Sequence, residues 1–231
     1  MTTVYYFSGS GKTKEVATFV ANELSFPLKE ISENEHDCQD AAVVVFPVYC
    51  QNIPKPVYNF LKKLDAEKIA LIATYGRISH GNVLKECELA LKGKIIAAVY
   101  LPCNHSYLSD KCDFSKDDLK SIIAKIKQSN QSDCVKIPKS KKSVFADFFP
   151  VLRSRISVKI SKTSNCTNCG KCDGVCPIGA MKNGKPNDKC IRCLKCVKCC
   201  PNHALTVKYA RTLTHYLKRR YDPNRKAEIY V

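Results

Sequence analysis

A doubly wound parallel α/β sheet followed by a small, cysteine-rich α+β domain is the architecture this chain predicts, for three reasons. Apolar strand-like runs alternate with amphipathic helical stretches over the first 130 residues. A loop of glycines and hydroxyl residues closes the first of those runs. Further on, nine of the fifteen cysteines crowd between Cys166 and Cys200.

The alternation predicts strands at residues 4–7, 28–31, 42–46, 69–74 and 95–101, and helices at 13–23, 57–63, 81–91 and 116–127. Strands separated by helices make a parallel sheet with crossover connections, whose ligand lies at the carboxyl ends of the strands. At the end of the first strand stands Ser8-Gly9-Ser10-Gly11-Lys12-Thr13, opening a helix. Such a loop offers backbone N–H groups, hydroxyl donors and a helix N-terminus to a phosphate. It is not a Walker A loop, because Tyr6 holds the position of that motif's first glycine.

The chain has 231 residues, 45% hydrophobic and 26% charged, and no run approaches the ~18 apolar residues of a membrane span. Its start, MTTVYYFSGSGKT, lacks the basic and apolar regions of an export signal, and fifteen cysteines is an odd number. A cytoplasmic protein with thiols and metal sites is therefore expected rather than a disulfide framework. Residues 1–145 hold 20 basic and 16 acidic side chains, and residues 146–231 hold 18 and 5, so the positive charge belongs to the C-terminal third. That imbalance fits acidic redox partner proteins, nucleic acid or an anionic surface, and does not choose among them.

Eight of the clustered cysteines form two copies of C-x2-C-x2-C-x3-C-P: Cys166, Cys169, Cys172 and Cys176 before Pro177, then Cys190, Cys193, Cys196 and Cys200 before Pro201. The offset is 24 throughout and extends to Ala180 and Ala204, an internal duplication. Three closely spaced thiolates hold one iron–sulfur cluster, and the fourth serves the other. Cluster I then takes Cys166, Cys169, Cys172 and Cys200, and cluster II takes Cys190, Cys193, Cys196 and Cys176. Gly170 and Gly174 let backbone amides approach the sulfurs. Zinc is the competing metal, but zinc ribbons use two separated C-x2-C knuckles. Cys199 is set aside because Pro201 follows Cys200.

These motifs resemble bacterial-type ferredoxins over residues 161–208, which implies two [4Fe-4S] clusters that pass single electrons. Lys171, Lys182, Lys185, Lys189, Arg192, Lys195 and Lys198 depart from the acidic character of that family. The first loop, in turn, resembles the phosphate loop of flavodoxins. The resemblance continues with Pro47-Val48-Tyr49-Cys50-Gln51-Asn52 after the third strand and Thr74-Tyr75-Gly76 after the fourth. It implies a flavodoxin-like sheet of order 2-1-3-4-5 and an FMN site built from Ser8, Gly9, Ser10, Gly11, Lys12 and Thr13 with these two loops. Tyr49 and Tyr75 are the candidate stacking residues. Lys12 stands where that family commonly has Asn, and residues 49–52 lack the glycine whose peptide turns toward the flavin there, Asn52 being the residue best suited to positive φ.

The whole chain matches, in order, a flavodoxin-like domain at 1–133, a linker at 134–160, a two-cluster ferredoxin domain at 161–208 and a basic tail at 209–231. Phe145, Phe148, Phe149 and Leu152 are expected to pack the linker against one domain, an anionic membrane being the alternative. The tail reads as a solvated helix with one packed face. Cys38, Cys50, Cys87, Cys103, Cys112 and Cys134 have no ligand spacing, and His36, His80, His105, His203 and His215 form no catalytic constellation. The expected function is electron relay between two [4Fe-4S] clusters and FMN. A flavin-dependent reductase of a small acceptor such as a quinone is the second reading, and a nucleic-acid-binding redox sensor the third.

Overall fold

The computed structural model describes residues 2–31, 38–108, 113–128, 134–148 and 150–231. His36, Cys112 and Phe149 lie outside the described residues, as does the side chain of Cys38. The chain forms two compact units: Met1–Ser8, Lys12–Val144 and Asp222–Val231 make the first, and Gly9–Gly11 with Phe145–Tyr221 the second.

In the first unit the elements run β1 (Thr2–Tyr6), α1 (Lys12–Leu24), β2 (Leu28–Glu30), β3 (Cys38–Pro47), α2 (Lys55–Lys63), β4 (Asp65–Tyr75), α3 (Val83–Ala90), β5 (Lys94–Pro102) and α4 (Lys120–Gln128). The second holds α5 (Pro150–Ser157), β6 (Val158–Lys162), α6 (Lys171–Gly174), β7 (Met181–Lys182), β8 (Lys185–Pro186), α7 (Lys195–Cys199), β9 (Leu205–Tyr209) and α8 (Arg211–Arg220), and β10 (Glu228–Tyr230) returns to the first.

The main sheet has the order β2-β1-β3-β4-β5-β10, with the first five strands parallel and β10 antiparallel to β5. This is the flavodoxin-like order 2-1-3-4-5 with one strand added. The central strands are buried almost end to end, the mark of a parallel sheet covered on both faces. Side chains alternate between those faces. Val4 and Tyr6 join Val16, Val20 and Leu24 of α1 and Ile122 and Ile126 of α4, while Tyr5 turns the other way, its ring 4.9 Å from Phe60 of α2.

Residues 134–144, expected as linker, lie along the first unit: Ile137 is buried, the Val135 amide donates to the Ile95 carbonyl at 2.8 Å, and Ser140 N–H donates to Asn82. The expected tail contains the predicted helix, α8, which buries Leu217, and then β10. Unit two is thus bounded in sequence on both sides by chain of unit one. The expectation that Phe145, Phe148 and Leu152 pack inward is corrected: all three are exposed, while Ala146 is buried. In unit two, β6 and β9 form an antiparallel ribbon from Val158↔Tyr209 to Lys162↔Leu205, and β7 and β8 form a second, two-residue ribbon. No helix among the described residues is long and apolar enough to cross a membrane.

Candidate functional site

Three predicted loops emerge from the carboxyl ends of β1, β3 and β4, neighbours in the sheet at its switch point. They are tied together. The Thr13 and Thr74 hydroxyls share a hydrogen bond of 2.8 Å, both residues being buried, and the Val48 amide donates to the Thr74 carbonyl at 2.8 Å. Ser8 Oγ accepts from the Lys14 amide at 3.2 Å, steadying the first turn of α1. Gly11 takes φ +97°, which only glycine adopts freely, and a Cβ there would meet nothing within 4 Å, so this turn is open to an approaching group. Lys12 pairs with Glu15 at 2.5 Å and with Asp113 at 3.4 Å.

The 49–52 loop is a tight two-residue turn closed by paired backbone bonds, Tyr49 N–H to the Asn52 carbonyl at 3.1 Å and Asn52 N–H to the Tyr49 carbonyl at 2.9 Å. Its left-handed residues are Cys50 (φ 52°) and Gln51 (φ 65°) rather than Asn52. Two side-chain-bearing residues in that region cost about 1 kcal/mol each, the kind of local strain that clusters at binding sites. Gly81 holds the turn from beneath, since a Cβ there would stand 2.7 Å from the Gln51 carbonyl oxygen. Gln51 Oε1 also accepts from the Ser143 amide at 2.9 Å.

Tyr49 is half-buried, edge-on to Phe7 with ring centres 6.5 Å apart. Tyr75 is buried, its ring edge-on to His80, and burial pushes its phenol up to about 12. Among the described residues its hydroxyl has no hydrogen-bond partner, which leaves it a donor for a bound molecule or water. No sequence motif marks Arg77, His80 or His105, yet all three flank these loops. Arg77, buried, donates to the carbonyls of Asp113, Pro223 and Arg225. His80 stacks on Tyr100 and bridges the Gly81 carbonyl and the Glu228 carboxylate. His105 packs against Gly76, and burial draws its imidazole down to about 4. Their only sequence signal is position within or just after a strand-end loop.

In unit two the cysteines gather into two pockets. Cys166, Cys169, Cys172 and Cys200 line one, with about 400 Å³ of space including adjoining solvent. Cys190, Cys193, Cys196 and Cys176 line the other, with about 330 Å³. Each pocket is thus lined by three cysteines of one repeat and the fourth of the other, and Cys199 lines neither. The surroundings differ. The first pocket is edged by Thr167, Asn168, Asn183 and Asn202, the second by Ile160, Ile178, Met181, Ile191 and Leu194.

Backbone amides point at several sulfurs: Ala180 to Cys176 at 3.1 Å, Ala204 to Cys200 at 3.3 Å, and Gly184 to Cys172. Burial pushes Cys193 up to about 11 and Cys196 up to about 12. Among the described residues no three His, Cys, Asp or Glu side chains converge tightly enough to share one metal ion. A [4Fe-4S] cube presents one iron at each of four corners, so its thiolates stand further apart than the ligands of a single ion. Four thiols lining one pocket, with amides aimed at the sulfurs, are the donor set such a cube takes.

No protein-family model and no curated protein matches the chain. Among solved structures, a putative flavoprotein from Bacteroides uniformis aligns at 19% identity over 41% of this chain and 88% of its own, with a TM-score of 0.35. One from Bacteroides eggerthii aligns at 19% over 41% and 84%, TM-score 0.32. A flavodoxin, WrbA-like protein from Agrobacterium tumefaciens aligns at 17% over 39% and 65%, TM-score 0.28. The fold assignment rests on the strand order itself.

Proposed function

We propose that the protein is an electron carrier in which two [4Fe-4S] clusters in unit two exchange electrons with one FMN held at the strand ends of unit one. The observation that carries this reading is the sorting of eight cysteines into two pockets, each completed by the fourth cysteine of the other repeat. When bound, such clusters supply one-electron steps and a flavin supplies one- or two-electron steps.

The chain's own residues position and tune. Amides of Ala180, Ala204 and Gly184 stabilise negative charge on the sulfurs they face. Met181, Ile191 and Leu194 keep water from the second pocket. On the flavin side, the Gly11 turn and the start of α1 would receive the phosphate, the Tyr49–Asn52 turn would border the ring, and the Tyr75 hydroxyl would offer a hydrogen bond. Lys12 would bring its cation to the phosphate by exchanging one of its carboxylate partners.

The test is an anaerobic reductive titration of reconstituted protein, with iron, sulfide and flavin counted per chain. The reading requires about eight irons, about eight sulfides and one flavin, with both chromophores bleaching under a common reductant. Full clusters without stoichiometric flavin would confine the carrier to unit two.

A further inference from the structure

We propose that the end of unit two formed by α5 and α8 docks on an anionic phospholipid surface. The β6–β9 ribbon sets the geometry. Pairing of Val158 with Tyr209 puts the close of α5 beside the start of α8, and the Ala210 amide donates to the Ser157 carbonyl at 2.9 Å. Both helices therefore leave the same end of the ribbon. Its other end, Lys162 beside Leu205, leads into the pocket of Cys166 and Cys200, which Ala204 and Leu205 help to line. Five residues of strand separate the two ends by about 14 Å.

α5 buries none of its residues. Leu152 and Ile156, four apart and so on one helix face, are 46% and 73% exposed. Phe145 and Phe148 just before it are 68% and 61% exposed, with ring centres 6.4 Å apart, and the Arg153 guanidinium donates to the Phe145 carbonyl and holds that turn to the helix. Large apolar side chains gathered at a surface mark a docking site. The helix that starts where α5 ends is cationic. α8 carries Arg211, Lys218, Arg219 and Arg220 and no acidic residue. Residues 145–221 hold 16 basic side chains against 3 acidic ones.

An apolar face alone would suit a protein partner, and a basic helix alone a nucleic acid. Carried by two helices that leave one end of a ribbon, they suit the boundary between acyl chains and anionic headgroups, where aromatic and branched side chains enter and lysine and arginine stay at the phosphates. Docked there, the pocket of Cys166 and Cys200 stays at the far end of the ribbon, clear of the lipid.

The test uses full-length, cluster-reconstituted protein floated with vesicles of phosphatidylcholine, alone or with roughly 30% phosphatidylglycerol. Flotation with the anionic vesicles only is expected, weakening steeply between about 50 and 500 mM salt. Phe148→Ser/Ile156→Ser and, separately, Arg219→Glu/Arg220→Glu are each expected to cut partitioning at least about tenfold, with iron content unchanged. Absence of flotation at low salt overturns the proposal. So does equal binding to uncharged vesicles, or full retention by the Phe148/Ile156 variant. Binding to a single-stranded oligonucleotide without binding to vesicles would assign the face to nucleic acid instead.

Discussion

The Ala180 amide donates to the Cys176 sulfur at 3.1 Å, and the Ala204 amide repeats the contact on Cys200 at 3.3 Å. The duplication visible in the spacing is thus also a duplication of hydrogen bonds. In both copies the chain turns after Cys-Pro so that the amide four residues past the last cysteine faces back onto it. These two cysteines are also the ones that cross to the other repeat's pocket. Each of these cysteines accepts an amide from its own repeat while it lines the other's pocket.

That arrangement predicts opposite outcomes at Cys176, which lines a pocket, and Cys199, which lines neither. Cys176→Ser should cost one cluster, lowering iron from about eight to about four per chain, because its pocket keeps only Cys190, Cys193 and Cys196. Cys199→Ser should leave iron unchanged, since that thiol donates to the Cys196 carbonyl at 3.3 Å and lines neither pocket. Iron analysis and low-temperature EPR of the two variants side by side check it. Equal iron loss would mean that the ligand sets are other than proposed.

Gly81→Ala is the corresponding test on unit one. The residue has φ +65°, and its new Cβ would stand 2.7 Å from the Gln51 carbonyl oxygen and 2.8 Å from the Gln51 Cβ, so either strand-end loop must shift. A loss of about 2–3 kcal/mol is expected, about 1 from the left-handed backbone and the rest from the displaced turn. Thermal unfolding measures the first consequence. Fluorescence titration with FMN measures the second, a weaker affinity, because Gln51 belongs to the turn proposed to border the ring.

Most of the sheet was legible because buried parallel strands read as apolar runs: residues 69–74 and 95–101 sit inside β4 and β5. The predicted helix at 81–91 shortened at its start because Gly81 adopts a left-handed turn, which periodicity does not report. β10 escaped because its three residues, Glu228–Tyr230, are half-buried and carry no alternation long enough to register. The strained pair in the 49–52 turn escaped for another reason. Asn52 has the better intrinsic tolerance of positive φ, but the paired backbone bonds between Tyr49 and Asn52 force the two central positions to carry it. The grouping of each fourth cysteine with the other repeat's pocket was legible from the doubled spacing, whereas the asparagines around the first pocket come together only in the fold.

His105 gives the first unit a defined pH dependence. Its imidazole sits at about 4 because burial disfavours the cation, and its Nδ1 accepts from the Tyr107 amide at 3.1 Å, a bond that needs that nitrogen unprotonated. In the unfolded chain the same group titrates near its ordinary value of 6.5. Between about 4 and 6.5 the unfolded state binds the extra proton, so stability falls as the pH drops through that window, by at most about 1.4 kcal/mol per pH unit. Above it the group contributes no slope. Denaturant melts from pH 4 to 8 should show a shallower decline in His105→Gln than in the parent chain, and identical slopes would remove His105 as the cause.

The final strand supplies a test of how the first unit is completed. β10 pairs with β5 through Glu228↔Tyr100, Ile229↔Val99 and Tyr230↔Ala98, while Ala227 and Ile229 pack against the core and Glu228 accepts from His80 at 3.0 Å. Ending the chain after Lys226 removes all of this and leaves β5 as a bare apolar edge, which invites pairing with another chain. The apolar area and ladder bonds lost point to a destabilisation of about 2–4 kcal/mol. The cysteine pockets lie wholly within residues 160–205, so the truncated protein should still reconstitute its iron while the flavodoxin-like unit melts earlier and associates. Ile229→Ala, which keeps the backbone pairing, should show the smaller part of the same loss. Unchanged melting in both variants would mean that five strands suffice and that β10 only anchors the chain end.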